Sequence, residues 1–285
     1  MILVTGAAGK TGQAVLRALV QRGAAVRAFV YRPEQMPVVE ALGAQEAMAG
    51  DMQDETAYRR AATGIRAIYH VCSNMNPNEE AIGRIALAAA QASGVEHFVY
   101  HSVLHPQTEA MPHHWHKLRV EERLLESGLA YTIVQPAAYM QNILVGWPAI
   151  AEQGVYRVPY PVTTRLSMVD LDDIATAVAM VLTEPGHAGA IYELAGPDAL
   201  TQTEVAEVLS AALGRPVHAE QLPLAEWTAG ARAAGLGDYQ IETLVKMFRY
   251  YEQYGFWGNA HVLGWLLGRP PASFRGFVER VVGHC

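Results

Sequence analysis

Ile2-Leu3-Val4-Thr5-Gly6-Ala7-Ala8-Gly9-Lys10-Thr11-Gly12 gives, in order, a short apolar run, a glycine-rich turn and the start of a helical period. That order reads as the first strand, loop and helix of a βαβ unit. At such a turn one glycine permits the tight bend, another lets the backbone approach a pyrophosphate, and a third lets the helix pack closely on the strand. The unpaired N–H groups and the positive end of the helix then favour a phosphate anion. The spacing is G-x-x-G-x-x-G, a variant of the G-x-G-x-x-G dinucleotide fingerprint. Gly6, Ala8, Gly9, Lys10, Thr11 and Gly12 are therefore candidate cofactor contacts. Gly9-Lys10-Thr11 also looks like the end of an ATP-binding loop. That pattern needs a glycine five residues earlier, where this chain has Val4 inside the strand, so the ATPase reading fails on spacing.

Working outward, β-rich runs at Ile2–Thr5, Ala25–Tyr31, Gln45–Ala49, Ala67–Cys72, His97–Ser102 and Tyr131–Gln135 alternate with helical stretches. The helices are expected near Gly12–Arg22, Pro33–Leu42, Asp54–Ala62, Glu79–Ala92 and His113–Glu126. Six strands at this spacing predict an α/β fold with a doubly wound parallel sheet of Rossmann type, because parallel neighbours need long right-handed crossovers. After Pro136 turns at Pro148, Gly154, Pro159, Pro161, Pro185, Gly186, Gly196 and Pro197 separate helices near Leu171–Leu182, Gln202–Leu213 and Asp238–Tyr251. Residues 1–136 thus read as a dinucleotide-binding domain. Residues 137–285 read mainly as a smaller C-terminal α+β substrate lobe, with some segments returning to the sheet.

The composition bounds the function. The 285 residues are 51% hydrophobic and 17% charged, which suits a globular chain that buries its own core. A net charge of −7 supplies no general basic field for nucleic acid or anionic lipid. No apolar run approaches the roughly 18 residues of a membrane span, and no basic segment precedes a long apolar one at the start. Cys72 and Cys285, far apart in sequence, suit a reducing compartment. The expectation is a cytoplasmic protein with a small-molecule substrate, no direct nucleic-acid contact and no membrane; a homo-oligomer or a protein partner stays open.

The second strand selects the dinucleotide. NAD-binding folds usually carry an Asp or Glu about 20 residues past the glycines, to bond the ribose 2′-hydroxyl. Here the strand ends Val30-Tyr31-Arg32-Pro33. A carboxylate would repel a 2′-phosphate, whereas a guanidinium pairs with it. NADP(H) is therefore favoured, with Arg32 as phosphate ligand. Asp51 and Met52, in the turn after the third strand, are candidates for the adenine edge, although an Asx turn also explains Asp51.

Ligands of open α/β sheets lie beyond the carboxyl ends of the strands. The fifth strand ends Tyr100-His101-Ser102, and the next helix carries His113-His114-Trp115-His116-Lys117. Here the chain resembles the short-chain dehydrogenase/reductase superfamily, in which a serine ends that strand and a Tyr-x-x-x-Lys pair on that helix assists hydride transfer. Ser102 and Lys117 fall at the serine and lysine positions; His113 stands where tyrosine is usual. The loop Gly6–Gly12, Phe29–Pro33, Gly50-Asp51, Gln135–Asn142 and Val169–Ala175 together are similar to the NmrA-like atypical branch, as are Leu194–Pro197 and Leu213–Pro216. That resemblance spans essentially the whole chain. It implies NADPH-dependent reductases of quinones and dyes, relatives acting on phenylpropanoids, and redox sensors that bind NADP without known turnover. It also implies that Lys117 bonds the nicotinamide ribose.

The residues can be weighed without it. Four apart on a helix, His113 and Lys117 share a face. An imidazole titrates near neutrality, so His113 is a candidate proton donor. The chain has only three lysines, Lys10, Lys117 and Lys246, against 18 arginines, and two of the three fall in expected cofactor segments. Ser102, His113 and Lys117 are the catalytic candidates. Pro136 and Tyr139 follow the sixth strand and are expected near the nicotinamide; Tyr139, Met140, Asn142 and Trp147 are candidate substrate contacts. Phe248, Tyr251, Phe256 and Trp257 suit either an aromatic pocket or a core. No metal is expected, because His101, His105, His113, His114 and His116 form neither HExxH nor a finger pattern. No G-x-S-x-G elbow surrounds Ser102, which argues against a hydrolase. The expected function is an NADPH-dependent reductase of a small electron-poor molecule such as a quinone. The alternative is a non-catalytic NADP(H)-binding redox sensor, which the missing tyrosine favours.

Overall fold

The computed structural model describes residues 1–283. Cys72 is a buried free thiol; Cys285 lies outside the described residues. Up to Pro136 the elements are β1 (Ile2–Val4), α1 (Lys10–Gln21), β2 (Val26–Val30), α2 (Met36–Ala41), β3 (Glu46–Ala49), α3 (Glu55–Ala62), β4 (Ala67–His70), α4 (Glu79–Ala92), β5 (His97–His101), α5 (Pro112–Glu126) and β6 (Tyr131–Pro136). The strands beyond are β7 (Ala138–Tyr139), β8 (Val155–Val158), β9 (Arg165–Val169), β10 (Ala190–Leu194), β11 (Ala199–Thr201) and β12 (His218–Gln221). The helices beyond are α6 (Leu171–Thr183), α7 (Gln202–Leu213), α8 (Leu224–Ala233), α9 (Asp238–Tyr254), α10 (Ala260–Leu267) and α11 (Phe274–Gly283).

The large sheet has the order β10-β6-β5-β4-β1-β2-β3, the doubly wound arrangement of a Rossmann-like α/β fold. Ile2 pairs with Val26 on one side and Ala67 on the other, so the first strand of the chain is central. Leu3, Ile68 and Val99 are fully buried, as expected of parallel strands covered on both faces. The sequence pattern anticipates six strands; the sheet has seven. β10 joins beyond β6, and Gly189 N–H donates to the Tyr131 carbonyl at its start. It is half-exposed along most of its length, so its alternation carries little of the apolar signal that marks the other six. The expected helix Pro33–Leu42 divides into a 3₁₀ turn, Pro33–Gln35, and the short α2, because Pro37 cannot supply an N–H to a continuous helix.

The chain forms two compact units. The first comprises Met1–Glu109, His113–Gln135 and Ile174–Tyr192; the second comprises Ala110–Pro112, Pro136–Asp173 and the chain from Glu193 onward. In the second unit β11, β9 and β7 form a mixed sheet, and β12 pairs in parallel with β8. Arg280 pairs with the buried Asp170, which also accepts from Gln141 Nε2 at 2.7 Å. Arg269 pairs with the buried Asp173 at 2.6 Å. These carboxylates, Asp170 just before α6 and Asp173 in its first turn, fasten the C-terminal segments of that unit.

Candidate functional site

In the first unit the glycine loop leads directly from β1 into α1. Gly6 has φ +56°, a left-handed conformation that favours glycine, and Gly9 N–H closes the turn on the Gly6 carbonyl at 2.9 Å. A Cβ at Gly12 would stand 2.3 Å from the Gly6 oxygen and 2.7 Å from the Ala7 Cα, so loop and helix touch backbone to backbone there. Gln13 Nε2 holds the Ala8 carbonyl at 2.8 Å. No side chain caps α1 at Gly9, and its first turn carries no acid. Gly9 and Lys10 are exposed, Thr11 half-buried. An open helix N-terminus below a loop that only glycine permits fits a pyrophosphate.

Arg32 follows β2 and is exposed; its backbone N–H is held by Gln35 Oε1 at 2.9 Å. No carboxylate occupies the strand end. Asp51 makes the Asx turn that the sequence allowed, accepting from Gln53 N–H at 2.9 Å. Met52 is half-buried against the core beneath β2 and β4.

The ends of β4 and β5 and the start of α5 enclose a buried polar cluster. Gly83 lets α4 approach α5: a Cβ there would lie 2.7 Å from Val120 Cγ2. One turn along each helix, Glu79 and Lys117 meet. Lys117 Nζ donates to Glu79 Oε1 at 3.0 Å and to the His101 carbonyl at 3.3 Å. Tyr100 OH donates to the same Glu79 oxygen at 2.9 Å, and its ring centroid lies 5.5 Å from Lys117 Nζ. Both charged residues are buried. Ser102 Oγ donates to Glu121, which also accepts from Gln135 Nε2 at 2.9 and 3.1 Å. Burial pushes the Glu121 carboxyl above the usual range, while those two donors pull it down.

Four histidines in this cluster are held uncharged, in each case first by burial and further by the nearby Lys117 ammonium. His70 falls to about 4 although Glu79 opposes the shift, and His101 falls to about 3. His114 falls to about 4, partly restored by its bond to the His105 carbonyl. His113 falls to about 2 under burial and the neighbouring His114, Lys117 and His116. Its Nδ1 is buried without a hydrogen-bond partner. A neutral imidazole is a weaker acid than an imidazolium, so burial makes His113 a poorer proton donor than its residue type alone suggests. Burial also pushes the Cys72 thiol up to about 12, assisted by Glu79, which leaves it protonated and unreactive.

The remaining predicted positions belong to the second unit. Pro136 is buried, Tyr139 half-buried on β7, and Asn142 exposed, with Trp147 half-buried. Met140 is 1% exposed and packs inward, 3.4 Å from where a Cβ on Gly196 would sit. The aromatics Phe248, Tyr251 and Phe256 are buried against one another and Tyr160: Tyr251 stacks on Phe256 at 5.0 Å, and Tyr160 meets Phe248 at 5.9 Å. They belong to the buried core of that unit, while Trp257 is exposed. Among the described residues no group of three or more His, Cys, Asp or Glu side chains is arranged to hold a metal ion, and no helix is long and apolar enough to cross a membrane.

Sequence reasoning missed Glu79, Tyr100 and Glu121. Glu79 opens a helix and so reads as a favourable first-turn acid. Glu121 carried a visible signal, because His113, Lys117 and Glu121 recur at spacings of four and make one polar stripe on α5.

The profile described as NmrA-like family matches residues 1–272. An NAD(P)H azoreductase of Xenophilus azovorans is 30% identical over 281 residues, covering 98% of this chain and 97% of the relative. Quinone oxidoreductase 2 of Escherichia coli strain K12 is 30% identical over 283 residues, covering 99% and 98%. The solved structure of the Escherichia coli NADPH-dependent quinone oxidoreductase complexed with NADPH matches with a TM-score of 0.86 at 28% identity, over 100% of this chain and 99% of that one.

Proposed function

The chain belongs to the NmrA-like family, and from that premise we propose that it is an NADPH-dependent reductase of small electron-poor organic molecules, quinones foremost. The observation that carries the reading is the uncapped start of α1 beneath the Gly6–Gly12 loop, with Arg32 and no acid at the end of β2. The loop and helix would hold the pyrophosphate, Arg32 the 2′-phosphate, and Lys117 the nicotinamide ribose. Bound NADPH would supply a hydride. Relatives along the full length are an azoreductase and a quinone oxidoreductase, which supports an acceptor of that electronic class.

The chain's own residues give binding and a water-poor setting. Lys117 keeps one N–H beyond those directed at Glu79 and His101, and the neutral histidines around it add no competing charge. With His113 uncharged and Ser102 committed to Glu121, the reading favours acceptors that take hydride without concerted protonation. One observation favours the alternative of an NADP(H)-binding redox sensor: His113, held neutral by burial, stands on α5 where the superfamily usually has tyrosine.

The test is to measure NADPH and NADH binding by fluorescence and then to follow loss of NADPH absorbance with quinones, azo dyes and activated carbonyls. Tight NADPH binding with turnover of a quinone or azo dye is expected. Tight binding with no turnover across the panel would replace the reductase with the sensor.

A further inference from the structure

We infer that Glu79 is a positioning residue for Lys117: it fixes the ammonium's orientation and preserves its charge, so that one N–H stays available to the cofactor. The inference rests on the reading of Lys117 as a cofactor contact. An ammonium has three N–H donors and no acceptor. Two are taken within the first unit, by Glu79 Oε1 at 3.0 Å and the His101 carbonyl at 3.3 Å, and these two fix the direction of the third. Glu79 is held in turn. It is the first residue of α4, where the helix dipole favours a negative charge, and Tyr100 OH bonds the same oxygen at 2.9 Å.

The pair matters because of its surroundings. Lys117 is 7% and Glu79 3% exposed, and a buried ammonium stripped of its counter-charge favours the neutral amine. The other titratable groups facing Lys117 are His70 and Cys72 at and just beyond the end of β4, Tyr100 and His101 on β5, and His113, His114 and Glu121 on α5. The histidines are uncharged and Cys72 and Tyr100 protonated near neutrality, so none can replace Glu79 as counter-ion. Glu121 is the remaining acid, and it is engaged by Ser102 and Gln135.

The experiment compares NADPH dissociation constants of the full chain and its Glu79→Gln, Glu79→Asp and Lys117→Met variants between about pH 6 and about pH 9. Using the ratio of variant to wild type cancels the cofactor's own titration. Glutamine keeps the shape and an acceptor oxygen but removes the charge. The Glu79→Gln ratio is expected to stay within about threefold at the acid end and to rise by about tenfold or more, roughly 1.4 kcal/mol, at the alkaline end. Glu79→Asp, which keeps the charge, is expected to hold a flat ratio even where overall affinity drops. Adding Glu121→Gln to Glu79→Gln should leave the rise in place, which assigns it to the Lys117 pair. A merely structural role would weaken binding equally at every pH. A flat Glu79→Gln ratio, with Lys117→Met weakened, would overturn the inference and leave the cofactor reading intact. Wild-type affinity in Lys117→Met would overturn both.

Discussion

Acid should destabilise this protein well above the carboxylate range, and the reason is the buried histidines of the first unit. His70 and His114 titrate at about 4, His101 at about 3 and His113 at about 2 in the folded chain, each lowered from 6.5 by burial. Each is less basic folded than unfolded, so below 6.5 the unfolded state binds more protons and stability falls as pH falls. The stabilisation is complete above that value and is lost on the way down to each folded value. Between about pH 7.5 and about pH 5.5 one such group costs about 1.3 kcal/mol, and the four together about 5 kcal/mol. Native stability is typically about 5–15 kcal/mol, so this loss alone can approach the midpoint. Glu121 acts in the opposite sense, because its raised carboxyl recovers stability as it protonates, and offsets part of the loss. Urea unfolding followed by far-UV circular dichroism at several pH values in this window measures the slope. Replacing His113, whose Nδ1 has no partner to lose, by Phe should remove about a quarter of it. A change in unfolding free energy below about 1 kcal/mol across the window would refute the argument that these four rings are buried uncharged.

Three further outcomes separate the parts of the site. Arg32→Asp should weaken NADPH by at least about tenfold more than NADH, since a charge-assisted contact becomes a repulsion; equal losses in fluorescence titrations would remove Arg32 from the 2′-phosphate. Gly12→Ala should abolish NADPH binding and cost about 1–3 kcal/mol of stability, because the neighbours of the new Cβ are backbone atoms that cannot rotate away; near-normal binding and melting would show that the loop yields. Ser102→Ala should lower stability by about 1–3 kcal/mol by leaving the buried Glu121 one donor short, while quinone turnover per folded molecule changes less than about threefold. A hundredfold fall in kcat would instead give Ser102 a part in the chemistry.

The fold was legible because its signals are local. The strand, glycine turn and helix at residues 2–21 occur within one unbroken stretch, and β2 to β6 are short runs bracketed by turns. A later return to the sheet is expected from the sequence but β10 itself is not located, because an edge strand half-exposed along its length, with Glu193 inside it, lacks a buried strand's pattern. At the site the sequence supplied residue types but not their ionisation. His113 reads as a titratable group at a helix start, and only burial beside His114 and Lys117 holds it in the neutral form. Phe248, Tyr251 and Phe256 read as a pocket as readily as a core, and only their mutual contacts show a core. The Glu79–Lys117 pair was hidden for a different reason. It depends on the approach of α4 to α5 at Gly83, which no spacing within either helix reveals.

The uncharged His113 also bears on which acceptors the proposed reductase suits. Reducing an ordinary ketone by hydride generates an alkoxide, a strong base whose formation needs a proton in the transition state. Reducing a quinone generates a delocalised phenolate-type anion that is stable enough to be protonated afterwards by water. The first demands an acid positioned at the reacting oxygen; the second demands only orientation and exclusion of bulk solvent while the hydride moves. The first unit has a buried ammonium tied to Glu79, a serine tied to Glu121 and histidines without charge, a set suited to orientation and poor in acids. Under the proposed function, unactivated ketones should therefore be turned over far more slowly than quinones of similar size, and the gap should persist on lowering the pH to about 6, because His113 stays neutral there.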